Sequence, residues 1–289
     1  MIIDVHSHFW DAKQDLLPMV SEDINRAGGI STAIEMTPES HTAGTLDVGE
    51  GGADAVVVFG LRARNTGFIV SNDRVAEFVN ADRKRRIGFG SADPLHDPDP
   101  IGEIRRCTEE LGMQGVKLGP CYQGVEPLHE KLLPIYDYSE RNGLPVLFHQ
   151  GTTFSRNAAL KHANPVLLED IAYKHPELRM IVAHLGHPWC GETVSLIRKQ
   201  PHVYADISAL YYRPYQFYQA LKLAEEYGCD HKILFGTDYP MTTYASTIQG
   251  LKDLETYIER YNLPPLREGL IDGIIHRDSL SLLGLSLGS

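Results

Sequence analysis

The chain opens Met1-Ile2-Ile3-Asp4-Val5-His6-Ser7-His8, and the reading of these eight residues decides the fold. The β-branched Ile and Val favour an extended strand. Side chains two apart in a strand share a face. Strict alternation therefore places Asp4, His6 and His8 together, with Ile3, Val5 and Ser7 opposite. Two neutral imidazoles on one face begin a metal site, since such nitrogens suit Zn, Fe, Ni and Cu. Two polar histidines near a strand end are the plain alternative.

Working outward, 9–37 carries Trp10 and Gly28-Gly29 but no clear period. It reads as a long loop over the mouth of the molecule. Thr37-Pro38-Glu39 then starts a helix expected over 38–51, with a capping Thr and Pro in the first turn. The run Ala53-Asp54-Ala55-Val56-Val57-Val58-Phe59-Gly60 is the mark of a strand buried on both faces. Further strands are predicted at 86–92, 114–118, 144–149, 179–184, 203–207 and 232–235. Helices are predicted at 72–82, 100–111, 128–142, 165–175, 192–199, 214–227, 243–261 and 265–283. Strand–helix alternation implies a parallel sheet. Eight such units in about 250 residues fit an α/β (β/α)8 TIM barrel. An open doubly wound sheet holding a dinucleotide would need a glycine fingerprint after its first strand, where this chain has Asp4-Val5-His6-Ser7-His8. One domain over 1–289 is expected.

The 289 residues include 27 basic and 38 acidic side chains, a net charge of -11. That balance argues against a nucleic-acid or anionic-membrane binder and leaves a small-molecule substrate as the expected partner. Cys107, Cys121, Cys190 and Cys229 are scattered, with no Cys-x-x-Cys pair, so neither a disulfide framework nor a thiolate zinc site is expected. No signal-peptide pattern and no long apolar run is visible. A cytoplasmic protein is the expectation.

In such barrels the working residues sit at the C-terminal ends of strands. Those ends carry His6 and His8, Lys117 in Gly115-Val116-Lys117-Leu118, His149 in Leu147-Phe148-His149-Gln150, His184 in Val182-Ala183-His184-Leu185, Asp206 in Tyr204-Ala205-Asp206, and Asp238 in Gly236-Thr237-Asp238-Tyr239-Pro240. One such histidine is commonly a satisfied core residue. Four histidines and an aspartate at the same end point together to a divalent-metal site. Asp206 reads either as a hydrogen-bond partner of a ligand or as a capped strand end.

Over almost its whole length, from Asp4-Val5-His6-Ser7-His8 to Gly236-Thr237-Asp238-Tyr239-Pro240, the chain resembles the amidohydrolase superfamily. The likeness is to the amidohydrolase-related branch that includes aminocarboxymuconate-semialdehyde decarboxylase. The resemblance implies a distorted barrel with a divalent metal in its mouth. It implies His6, His8, His149 and Asp238 as ligands and His184 as a catalytic histidine acting on substrate or on water. It also implies two roles for Lys117: a carbamylated bridge between two metals, or a lysine facing substrate beside one metal. The reading favours one metal, zinc ahead of manganese, and a homodimer is compatible with it.

The leading expectation is hydrolysis of a small lactone, ester or amide by metal-activated water, with Asp238 taking the proton and His184 orienting or relaying it. The alternative is metal-dependent non-oxidative decarboxylation of a small carboxylic acid, aromatic or not, at the same site. A non-catalytic metal-containing binding protein is the reading from another class. Lys117, Arg62, Arg156 and Tyr239 are the expected substrate-binding residues, with Arg64, Arg213, Trp10, Trp189, Tyr211 and Tyr212 near the same strand ends.

Overall fold

The structure, a computed structural model, describes residues 1–27, 35–46, 49 and 51–288. Gly28-Gly29 and the far end of the helix expected over 38–51 lie partly or wholly outside those residues.

Eight parallel strands follow one another around a single sheet. They are β1 (Ile3–His8), β2 (Ala55–Phe59), β3 (Arg86–Ser91), β4 (Gly115–Leu118), β5 (Val146–Phe148), β6 (Met180–Val182), β7 (Val203–Asp206) and β8 (Ile233–Leu234). Each pairs in parallel with the next. The chain just past β8 returns to β1. Val5 N donates to Phe235 O at 3.0 Å, Asp238 N to His6 O at 2.7 Å, and His8 N to Tyr239 O at 2.8 Å. The sheet is thereby drawn into a nearly closed barrel, as the alternation of strands and helices implied.

Two apolar layers hold the barrel. Ile3, Val5, Ala55, Val57, Phe59, Ile87, Phe89, Leu147, Ile181 and Leu234 fill its interior, and Leu283 and Leu285 from the C-terminal segment join the same cluster. A second layer lies between strands and helices, with Val116, Phe148, Val182, Val194, Phe217 and Leu221 among its members. Each Val, Leu, Ile or Phe among them contributes about 1.5–3 kcal/mol when fully buried. Strands with apolar residues on both faces are what this double layer demands.

β1 departs from strict alternation. Ile3 pairs with Ala55 and Asp4 with Val56, yet Ser7 pairs with Val58. Val5 and His6 together oppose Val57, a β-bulge. Residues paired in register share a face, so Asp4 and Ser7 lie on the outer face of Val56 and Val58. Val5 and His8 lie on the inner face with Val57 and Phe59. The expected grouping of Asp4 with His6 and His8 is therefore corrected: the extra residue shifts the phase between them, and His6 turns inward beside the ring of Phe59 at 5.0 Å.

Other differences have local causes. Segment 9–37 contains helices Ala12–Asp15 and Pro18–Ala27. Asp11 caps the first by accepting from Lys13 N and Gln14 N. The second buries Val20 and Asp23, and a buried aspartate hides the apolar period. Helix Pro38–Thr45 ends early, at Leu46, which bridges to Ala53. The helix expected over 265–283 is two pieces, Leu270–Ile275 and Ser279–Leu283, the second capped by Asp278.

Candidate metal centre and substrate pocket

The C-terminal ends of β1, β6, β7 and β8 bring His6, His8, His184, Asp206 and Asp238 together. His6 Nδ1 lies 2.9 Å from Asp206 Oδ2, and its Nε2 is 3.2 Å from Asp238 Oδ1. His8 Nε2 is 3.1 Å from the same Asp238 oxygen. His184 Nδ1 lies 3.0 Å from Ser208 O and 2.8 Å from Ser208 Oγ. A carboxylate and a carbonyl only accept, so His6 and His184 both carry their proton on Nδ1. Their Nε2 lone pairs are left for the site.

Asp206 is the hub of this arrangement. Besides His6 it accepts from His184 N at 2.9 Å and Ser208 N at 3.0 Å, and Ser208 Oγ donates to it closely. Asp4 supports the neighbouring strand end by accepting from Thr237 N at 2.9 Å and Thr237 Oγ1 at 2.7 Å. Burial alone would raise Asp206 and Asp238, but the facing imidazoles of His6 and His184 hold both below the usual carboxylate range. His184 and Asp238 have left-handed backbone, with φ of 56° and 68°. Such conformations are uncommon for residues other than glycine and gather where surroundings enforce them.

The fit of a cation can be tested on the polar atoms themselves. His6 Nε2 and His8 Nδ1 are buried and lack a hydrogen-bond partner among the described residues. A lone pair on His6 Nε2 faces a carboxylate oxygen, which only a proton or a positive ion between them relieves. One donor atom each from His6, His184 and Asp238 lie within 4.8 Å of one another. Nitrogen and carboxylate donors in this number suit a divalent ion.

The sequence-predicted residues divide into three groups. His6, His8, Asp238 and His184 converge as described. His149 stands beside them, its ring 5.1 Å from that of His184. Its Nε2 lies 3.3 Å from Thr152 O, and its donor atoms, like those of His8, fall outside the three-residue cluster. Lys117 is 1 % exposed. Its Nζ has no hydrogen-bond partner among the described residues and lies 4.5 Å from the centroid of the Phe59 ring. Burial pulls it down to about 8, with Asp238 and Asp206 opposing.

Arg62, Arg156 and Tyr239 are not among the residues lining the pocket. Arg62 is turned to Asp97, donating from Nε at 3.0 Å and from a terminal nitrogen more closely. Arg156 is exposed, and its backbone N–H donates to Asp23 Oδ2 at 3.0 Å. Tyr239 packs its ring on the outer side against His41 at 5.1 Å.

The pocket has two connected parts. An outer vestibule of about 510 Å³ is lined by Tyr122, Phe154, His187, Tyr212, Arg213 and Met241, among others. An inner recess of about 50 Å³ is lined by Trp10, Leu61, Phe68, Lys117 and again Tyr122 and Phe154. His149, His184 and Asp238 line both. Sequence alone does not mark Tyr122, Phe154 and Met241 as pocket residues. They come from connecting segments, where only a noted aromatic residue next to a strand end gives a signal.

Residues 3–283 match the amidohydrolase family, and the chain belongs to it. A 2-amino-3-carboxymuconate-6-semialdehyde decarboxylase of Dictyostelium discoideum is 25 % identical over 197 residues, 58 % of this chain and 55 % of that protein. A gamma-resorcylate decarboxylase of Rhodococcus jostii (strain RHA1) is 28 % identical over 145 residues, 40 % of this chain and 44 % of that protein. The chain thus spans about half the length of the curated relatives it matches. Among solved structures, a TIM-barrel protein of Bordetella bronchiseptica has a TM-score of 0.72 at 20 % identity, covering 98 % of both chains. A dihydroxybenzoic acid decarboxylase of Polaromonas sp. JS666, holding manganese and 2-nitroresorcinol, has a TM-score of 0.62 at 16 % identity, covering 98 % of this chain and 96 % of that one. At these identities the solved structures establish the fold. No helix among the chain's described residues is long and apolar enough to cross a membrane.

Proposed function

We propose that the protein is a divalent-metal-dependent, non-oxidative decarboxylase of a small aromatic carboxylic acid. The observation that carries this reading is the convergence of His6 Nε2 and His8 Nε2 on Asp238 Oδ1 beneath a pocket walled by aromatic rings. His6, His8, Asp238 and His184 would hold the ion, with His149 beside them. When bound, the ion supplies positive charge that anchors an acidic substrate, and this donor set accepts zinc or manganese.

The chain's own residues do the rest. Asp206 and Ser208 fix the tautomers and ring directions of His6 and His184. Lys117 brings a cation to the recess and Arg213 brings one to the vestibule, suited to a carboxylate or phenolate. Trp10, Phe68, Tyr122 and Phe154 present the flat apolar surface that a planar ring fills. Decarboxylation breaks the ring–carboxyl bond, forms a C–H bond in its place, consumes one proton and releases CO2. Asp238, which lines both parts of the pocket, would carry that proton.

Hydrolysis, the leading expectation from sequence, would draw on the same groups. What supports CO2 release instead is that both curated relatives are decarboxylases and that the pocket is aromatic. The test incubates enzyme loaded with Mn²⁺ or Zn²⁺ with hydroxybenzoates, lactones and amides in D2O. The proposal expects CO2 from a hydroxybenzoate-type acid and one deuterium on the product ring. Acid formed from a lactone or amide without CO2 would establish hydrolysis, and binding without turnover a non-catalytic protein.

A further inference from the structure

His41 lies outside the pocket, on helix Pro38–Thr45, and is completely buried. Its Nε2 is 3.1 Å from Ser7 Oγ, and Ser7 Oγ donates to Val57 O at 2.9 Å. A serine hydroxyl has one hydrogen, and Val57 O takes it. Ser7 Oγ must therefore accept from His41, which carries its proton on Nε2. Val57 is the residue that Val5 and His6 jointly oppose at the bulge. The His41–Ser7–Val57 chain thus crosses β1 where the extra residue turns His6 inward.

His41 also meets the other side of the barrel's closing seam. Its ring stands edge-on to Tyr239 at 5.1 Å, Phe9 at 5.9 Å and Phe78 at 4.9 Å. Tyr239 follows Asp238, and Phe9 follows His8. The fit is close: a Cβ at Gly44, one turn along the helix, would come within 2.2 Å of the Tyr239 ring. The helix is pinned in turn by Arg86, which donates to Thr42 Oγ1 at 2.8 Å and to Phe78 O at 2.9 Å and lies 3.9 Å over the Phe78 ring. One side chain therefore touches the chain neighbours of His6, His8 and Asp238 at once.

We infer that His41 is a positioning residue for the metal centre, holding the bulged β1 and the Asp238 turn in the register that aims His6, His8 and Asp238 at one point. This rests on the proposed metal site. It is independent of which reaction that site performs. The helix carrying His41 is thereby an outer clamp across the seam.

The test measures Mn²⁺ affinity by calorimetry and by the electron paramagnetic resonance signal of free ion, with far-UV circular dichroism and melting of the stripped proteins as the folding control. His41→Phe keeps an aromatic body and deletes the donor; Ser7→Ala deletes its acceptor. Each should weaken Mn²⁺ binding about 10–100-fold. The double variant should be no weaker than the worse single one, because both changes cut one bond. His41→Gln, which retains an N–H donor, should recover most of the affinity. If His41→Phe does not fold, Ser7→Ala alone decides. Wild-type affinity in a folded His41→Phe or Ser7→Ala protein would overturn the positioning role and leave the metal site standing. Absence of Mn²⁺ and Zn²⁺ binding by the wild-type protein would overturn both.

Discussion

The two walls of the barrel mouth are held by different forces. On the polar wall, Asp206 fixes His6, the backbone of His184 and Ser208 through directed hydrogen bonds. On the aromatic wall, Phe68 and Phe154 present rings placed by packing, and Thr153 Oγ1 anchors the Tyr122 hydroxyl. Hydrogen bonds fix direction, whereas burial of apolar surface is non-directional. Changes on the polar wall should therefore decide whether the chemistry happens, and changes on the aromatic wall which substrate enters.

The largest effect should come from Asp238→Asn, which removes the charge shared by His6 and His8. Turnover should fall about 10³-fold or more, with loss of bound Mn²⁺ read by elemental analysis. Retention of most of the turnover would break the distinction between the walls. Asp206→Asn should follow, with Mn²⁺ affinity down about 10–100-fold because the His6 ring and the backbone N–H of His184 lose their charged acceptor. An unchanged calorimetric affinity would show that the imidazoles are aimed by other contacts.

Lys117 lies where the two walls meet, and it gives a pH test in the metal-stripped protein. Its ammonium is pulled from 10.5 to about 8 in the folded chain, by burial first. The unfolded chain therefore holds more protons between pH 8 and 10.5, and stability rises with pH through that window. Below pH 8 the buried charge is destabilising, by on the order of 3 kcal/mol. Lys117→Met should be the more stable protein at pH 7.5, and the gap should close by pH 10.5 in urea unfolding. A gap independent of pH would mean that the lysine is not desolvated as described.

The aromatic wall should respond more gently. Phe154→Ala should raise KM about 3–10-fold with kcat within about twofold, since a packing surface binds ground and transition states alike. A fall in kcat with unchanged KM would move Phe154 into the chemistry. The smallest effect is expected for Arg156→Ala, whose exposed side chain is absent from the pocket lining. Its KM should match wild type in steady-state kinetics, and a large rise would restore it as a substrate contact.

The polar wall was largely legible in the sequence and the aromatic wall was not. His6, His8, His184 and Asp238 follow apolar runs that can only be buried strands, and strand ends in this fold share one rim. The orientation of β1 is not legible, because a bulge leaves no mark in the order of residues. Arg62, Arg156 and Tyr239 lie outside the pocket lining for another reason. Asp97 is paired with Arg62, Asp23 with the backbone of Arg156, and His41 with Tyr239. Each partner is distant in sequence and is visible only once the chain is folded. The same holds for Tyr122 and Phe154, which reach the recess from connecting segments. Helix Pro18–Ala27 escaped because its buried face includes Asp23, so its periodicity is not purely apolar.

The most direct measurement is anomalous diffraction from a crystal soaked in MnCl2. The account predicts one peak within bonding distance of His6 Nε2 and Asp238 Oδ1, with His8 or His184 completing the protein ligands. A peak elsewhere, or none at full soak, would contradict it.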